Sequence, residues 1–276
     1  MKTLFTLLIM IGLTNAATAQ TGKYANVNGL KMYYEMHGNG FPLVLIHGGG
    51  STIGTTFGRV LFTLAKKHKV IAVEMQAHGH TADIDRPLSF EQDADDIAEL
   101  LKELNITKAD IFGFSNGAST TLQLAIRHPE IVNRIIVAST MYKKAGSYPW
   151  FWEMMSQPSF GQMPQPLKDA FLEINPDKEA LYIMYKRDVA RMQSFKDIRE
   201  EDIRSIKAPA LIIAGTNDVV SPEHAVEMYR QMQHATLAIL PGGHGDYIGE
   251  ITTVKPGQQE YPVLSIIETF LNEPVK

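Results

Sequence analysis

Cysteine is absent from all 276 residues, and that gap alone excludes disulfide frameworks, thiol nucleophiles, cysteine-ligated zinc and iron–sulfur clusters. Any side-chain nucleophile is therefore an oxygen or a nitrogen. Excess charge of one sign is lacking too. With 26 Lys and Arg against 30 Asp and Glu, the formal net charge is −4, which supplies neither the basic footprint of a nucleic-acid binder nor an acidic tail. Beyond the first twenty residues there is no long apolar run, no internal repeat and no low-complexity segment, so nothing there reads as a membrane span or a solenoid. What remains is the composition of an ordinary globular protein, 45% hydrophobic, with length enough for one large domain and its core.

The N-terminus has a different texture. Lys2, the apolar stretch from Leu4 to Leu13 and Ala17-Thr18-Ala19 supply the positive, apolar and small-x-small parts of a secretory signal peptide. The run is shorter than the roughly 20 residues needed to cross a bilayer. Residues 1–19 are therefore expected to be a cleaved signal peptide, leaving Gln20 as the first residue of a secreted or periplasmic protein without a stable membrane anchor.

Asn28-Gly29 between two alternating segments is a strong hairpin signal, so the domain is expected to open with antiparallel strands. Continuous apolar runs follow at Leu43–Ile46, Val70–Val73, Ile111–Phe114, Ile135–Ala138, Ala210–Ala214 and Thr236–Leu240, the pattern of strands buried on both faces of a parallel sheet. Helical patterns lie between them. Ser89 to Gln92 reads as a capping box ahead of Ile97, Leu100, Leu101 and Leu104, and Ser221-Pro222 opens a helix that reaches about Met232. This alternation implies an α/β fold. Only residues 141–206 interrupt it: they hold no strand run but contain Trp150, Phe151, Trp152 and two amphipathic helical patterns. They are expected to form a helical cap on a body made of residues 20–140 and 207–276.

Gly113-Phe114-Ser115-Asn116-Gly117 sits where a strand run gives way to a helix. A G-x-S-x-G there is a nucleophile elbow, which holds the serine in strained geometry at the end of the sheet. A serine hydroxyl needs a base, and the base needs an acid to fix its tautomer. In the chain order serine, acid, histidine, the candidates are Asp218 after the strand Ala210–Ala214 and His244 in Gly243-His244-Gly245 after the strand Thr236–Leu240. His47-Gly48-Gly49-Gly50 follows the strand Leu43–Ile46 and reads as a loop whose backbone N–H groups form an oxyanion hole. Its donors would be Gly49 or Gly50, together with Asn116.

On these four segments the chain, from about Lys23 to a final helix at Tyr261–Leu271, resembles the α/β-hydrolase superfamily. The resemblance implies an eight-stranded, mostly parallel sheet with an antiparallel strand near its start, flanked by helices, and a helical cap inserted after the sixth strand. One departure is Glu74-Met75-Gln76-Ala77-His78-Gly79-His80, where family members often carry an Asp-x-Arg-Gly-His-Gly-like segment. His78 and His80 could suggest a metal pair, but the further ligands are missing, so local hydrogen bonding is expected and no metal. Asp83 and Asp85 lie too far upstream for the expected order, Ser139-Thr140 offers no carboxylate, and Asp246 reads as a turn residue. Trp150 and Trp152 are the candidate substrate-binding aromatics. The expected function is a cofactor-free serine hydrolase acting on a small-molecule carboxylic ester or lactone, the alternative being a hydrolase-like receptor with slow or no turnover. Thioester, amide and carbon–carbon bond hydrolysis and perhydrolysis use the same constellation, and the sequence separates neither these nor the oligomeric state.

Overall fold

The computed structural model describes residues 22–274; the signal-peptide expectation for residues 1–19 lies outside the described residues. β1 (Lys23–Val27) and β2 (Leu30–His37) form the expected hairpin. Both turn residues, Asn28 and Gly29, have positive φ, 48° and 83°, as a two-residue turn matching the strand twist requires. β3 (Pro42–Ile46) follows, then the short helices α1 (Ile53–Phe57) and α2 (Leu61–Leu64), β4 (Lys69–Glu74), α3 (Phe90–Glu103), β5 (Ala109–Phe114), α4 (Asn116–Arg127) and β6 (Val132–Ala138). The interrupting segment carries α5 (Pro149–Ser156), α6 (Gln165–Ile174), α7 (Lys178–Gln193) and α8 (Glu200–Ser205). The chain closes with β7 (Ala210–Asn217), α9 (Pro222–Gln231), β8 (Ala235–Gly243) and α10 (Val263–Asn272).

The strands form one eight-stranded sheet in the order β1-β2-β4-β3-β5-β6-β7-β8. β2 runs antiparallel to both its neighbours, and every other pairing is parallel. Each face has its own core. On one, Val44, Ile111 and Ile135 pack with Leu100 of α3, Leu122 of α4 and Met228 of α9; on the other, Leu45, Phe112 and Ile136 pack with Phe57 of α1, Leu64 of α2 and Ile267 of α10. All six residues of β5 are buried, which is why that strand reads as an unbroken apolar run.

Local signals explain the helix starts. Ser89 Oγ accepts from the Gln92 N–H at 3.1 Å, but the Gln92 amide donates to Asp96 at 2.9 Å instead of returning to the cap. Only half of the expected capping box forms, because Asp96 gathers Asn28, Arg86 and Gln92 around one buried carboxylate. The segment between β6 and β7 is pinched at its base. Ile198 N–H donates to Tyr142 O and Lys144 N–H to Asp197 Oδ1, both at 2.7 Å. Past that pinch, Ile203 of α8 and Ile206 are buried in the core of the body.

Candidate active site

Ser115 occupies the junction of β5 and α4 with φ 54° and ψ −120°, a backbone conformation costing of order 1–3 kcal/mol in a residue other than glycine. The surrounding structure imposes it. Ser115 N–H is tied to Ala138 O at 2.8 Å, and the motif's two glycines are sites of backbone contact. A Cβ added to Gly113 would stand 2.1 Å from Gly117 O, and one added to Gly117 would stand 2.2 Å from Ile46 O. No side chain fits at either position.

His244 reaches Ser115 from the loop after β8. Its Nδ1–H donates to Asp218 Oδ1 at 2.6 Å, which leaves Nε2 to accept from Ser115 Oγ–H at 3.0 Å. Asp218 is buried beyond β7 and is itself held. Its Oδ2 accepts from Ser139 Oγ and from the Gly215 N–H, and its Oδ1 from the Val219 N–H. Burial alone would raise the Asp218 pKa, yet the adjacent His244 and these hydrogen bonds hold it below the ordinary carboxylate value. The acid is thus ionised beside the imidazole.

The loop after β3 lies against this pair. His47 is buried, donates from Nδ1 to Gly48 O at 2.7 Å and accepts the Met75 N–H on Nε2 at 3.1 Å. Burial and the neighbouring His78 push its pKa down to about 3, so it props the loop as a neutral ring. Gly49 adjoins Asn116, since a Cβ on Gly49 would stand 2.3 Å from Asn116 Nδ2. The Gly50 N–H is otherwise engaged. It donates to Asp188 Oδ2 at 2.6 Å and lies 3.3 Å from His78 Nε2, so of the alternatives Gly49 or Gly50 it is Gly49 whose N–H is not taken up in this way.

A cavity of about 320 Å³ opens beside Ser115, walled by Phe151, Met154, Met155, Met163, Leu167 and Met192 among others. Trp150 and Trp152 are not in its wall, contrary to their expected contact with substrate. Along α5, Phe151, Met154 and Met155 share one face at i, i+3 and i+4, which turns the two flanking indoles elsewhere. Trp150 is 51% exposed. Trp152 packs on Phe195 and donates from Nε1 to Lys144 O at 2.8 Å.

The model of the alpha/beta hydrolase family matches residues 43–249, from the start of β3 through the His244 loop. The chain belongs to the alpha/beta hydrolase family. Relatives with a named activity are hydrolases. It is 25% identical over 246 residues to human serine hydrolase BPHL, covering 82% of this chain and 80% of that protein. With the pimeloyl-(acyl-carrier protein) methyl ester esterase of Nitrosospira multiformis it shares 27% identity over 244 residues, 77% of this chain and 90% of the esterase. Among solved structures, the 2-hydroxy-6-oxo-6-phenylhexa-2,4-dienoate hydrolase of Rhodococcus superposes with a TM-score of 0.74 at 18% identity, over 92% of this chain and 99% of that one. That likeness speaks for the fold alone.

Within this alpha/beta hydrolase, several polar residues weighed from sequence take local partners. Asp246 accepts the Gly243 N–H at 2.6 Å in its turn and His80 pairs with Glu74, whereas Asp83 pairs with Arg187 of α7, 104 positions away. His78 reaches further than the local bonding expected of it: its Nδ1 donates to Gln76 O at 2.8 Å and its Nε2 to Asp188 Oδ2 at 2.9 Å, across 110 positions. Asp188 itself escaped the sequence reading, because charges on a helix such as Lys178–Gln193 ordinarily face solvent. The available signal was the grouping of Arg187, Asp188 and Arg191, two of them an i, i+3 pair.

Proposed function

We propose that this chain is a serine hydrolase that cleaves a carboxylic ester or lactone through Ser115, His244 and Asp218. The observation that carries the reading is the continuous relay of Ser115 Oγ to His244 Nε2 at 3.0 Å and His244 Nδ1 to Asp218 Oδ1 at 2.6 Å, opening on an apolar cavity. His244 takes the serine proton as Ser115 Oγ attacks the carbonyl carbon, and Asp218 stabilises the imidazolium without accepting its proton. The Gly49 and Asn116 N–H groups receive the developing oxyanion. His244 returns the proton to the leaving alcohol, and water activated by the same imidazole then releases the acid. Five of the cavity's wall residues, Met154, Met155, Met163, Met192 and Phe151, favour an apolar acyl or alcohol group, and the thioethers adapt to more than one shape. The signal-like segment 1–19 supports a secreted or periplasmic site of action.

The test is labelling with a fluorophosphonate, which phosphonylates an activated serine, followed by turnover on a panel of esters, lactones and amides. Labelling at Ser115 is expected, with a loss of at least about 10³-fold in kcat for Ser115→Ala. Tight ligand binding with negligible turnover across the panel would instead favour a hydrolase-like receptor.

A further inference from the structure

A run of three glycines carries the proposed oxyanion donor. Without Cβ atoms, Gly48-Gly49-Gly50 has more backbone freedom than any other tripeptide, yet an oxyanion donor works only if it is aimed before the charge develops. Something outside the loop must fix it. Gly50 lies at φ +66°, and its N–H is held at 2.6 Å by Asp188 on α7, 138 positions away. The same carboxylate oxygen would stand 3.2 Å from a Cβ on Gly49, so it lies alongside the donor residue as well.

Asp188 is in turn firmly placed. Its Oδ2 also accepts from His78 Nε2 at 2.9 Å, and its Oδ1 from Arg191, whose guanidinium donates to the buried Asp93 of α3 at 2.8 Å. The carboxylate is thus engaged by the His78 ring, the Arg191 guanidinium and the Gly50 amide, and the Gly50 N–H also lies 3.3 Å from His78 Nε2. Among the described residues Asp188 is the only charged one in the cavity wall, and both its oxygens are already taken up by these partners. That disfavours a role in binding a cationic substrate and leaves the contact with the loop.

We infer that Asp188 is a positioning residue for the oxyanion site, fixing the Gly49–Gly50 peptide so that the Gly49 N–H is aimed at the substrate oxygen only while α7 is seated on the body. The inference rests on the proposed serine-hydrolase reading. It makes the helix that walls the cavity a structural part of the charge-stabilising loop: binding a substrate under the cap and completing the oxyanion site become one event.

The experiment compares Asp188→Ala and Asp188→Asn with the wild type in ester hydrolysis and in binding of two ketones. A trifluoromethyl ketone adds to Ser115: a C–O bond forms, the serine proton passes to His244 and the carbonyl oxygen becomes an oxyanion. The matching methyl ketone binds without adding. Asp188→Ala is expected to lower kcat and trifluoromethyl ketone affinity by the same factor, about 10- to 100-fold, while KM and methyl ketone affinity stay within about threefold. Asp188→Asn keeps an oxygen acceptor for Gly50 and is expected to recover part of the loss. A raised KM with unchanged kcat, equal kcat in all three proteins, or Asn no better than Ala would overturn the inference. If Asp188→Ala does not fold, the near-isosteric Asn variant decides alone: parallel losses in kcat and trifluoromethyl ketone affinity support positioning, and wild-type values refute it. Ser115→Ala separates the two failures. Full activity in that variant would remove the serine-hydrolase reading and this inference with it, whereas Ser115-dependent turnover indifferent to Asp188 would remove only the inference.

Discussion

Substituting Gly117 by alanine tests whether the serine turn and the glycine loop are mechanically one unit. The added methyl would stand 2.2 Å from Ile46 O, 2.5 Å from His47 O and 2.6 Å from Ile46 C. All three are backbone atoms, at the end of the central strand β3 and the start of the glycine loop, so no side-chain rotation relieves the clash. Restoring ordinary contact requires a shift of about 1 Å in close-packed backbone. Overpacking of this kind costs about 1–3 kcal/mol, and the rigidity of the resisting atoms puts Gly117→Ala near the top of that range. A 1 Å displacement of positioning groups also lowers turnover by about 10²-fold, and here the displaced residues lead directly into Gly49. Gly54→Ala is the control. Gly54 lies in α1 with negative φ, and its added Cβ meets only Thr52 Oγ1 at 3.9 Å, so a gain of about 0.5–1 kcal/mol is expected from reduced freedom in the unfolded chain. Urea denaturation and ester turnover, the latter normalised to fluorophosphonate-titrated sites, read both effects. Wild-type stability in Gly117→Ala would refute the steric reasoning. A large stability loss with unchanged kcat would refute the link to the oxyanion loop.

Ser139→Ala removes a donor to Asp218 and leaves the buried Tyr247 hydroxyl without its partner; a stability loss of about 1–3 kcal/mol and a kcat loss of about tenfold are expected, to be read by denaturation and steady-state kinetics. Thermal melting from about pH 5 to 9 tests the His78–Asp188 pair. Burial alone would lower the His78 pKa, but the Asp188 charge and hydrogen bond overcome it and leave it above the ordinary histidine value. A raised folded pKa stabilises fully below the unfolded value of about 6.5 and is lost as pH rises through the folded one, so the wild type loses stability on the alkaline side. His78→Gln should lose less over that interval, and parallel melting curves would contradict the pairing. Phe151→Ala is expected to shift relative kcat/KM across acyl or alcohol sizes by about 1–3 kcal/mol, whereas Trp150→Ala leaves the ranking unchanged. The reverse result would put the wrong face of α5 against substrate.

The fold was legible wherever burial imposes a repeat. Ile111–Phe114 and Ile135–Ala138 are apolar throughout because β5 and β6 are covered on both faces, and Asn28-Gly29 marks its hairpin because both turn residues need positive φ. α1 and α2 were not legible, having five and four residues and no periodicity to read. Around the candidate site, Ser115, Asp218 and His244 follow strand ends, and their spacing along the chain carries that information. The orientation of Phe151 relative to Trp150 and Trp152 depends on the phase of an eight-residue helix, which three consecutive aromatics leave undetermined. Asp188 was hidden for a different reason. Its local signal was one i, i+3 pair with Arg191, which reads as an ordinary surface ion pair, and the contacts that draw it into the site come from residues 50 and 78, more than a hundred positions away.

The pinch between Tyr142 and Ile198 has consequences for folding and for diversification. β6 and β7 are hydrogen-bonded neighbours, with Ala138 opposite Ile213, and the two bonds at the pinch close the excursion from Lys143 to Asp197 onto itself. A closed excursion can melt or be replaced without unzipping the strands that carry it, and the entropy of closing a loop changes by only about 0.6 kcal/mol for each doubling of length. Amide exchange in α5 and α6 is therefore expected to proceed through openings of lower free energy than those that release β5 and β6. The natural graft boundary falls at the pinch and not at the start of β7, because Ile203 and Ile206 remain embedded in the body. A chimera spliced at Tyr142 and Ile198 keeps that plug in place, whereas one spliced just before β7 leaves a hole under α4.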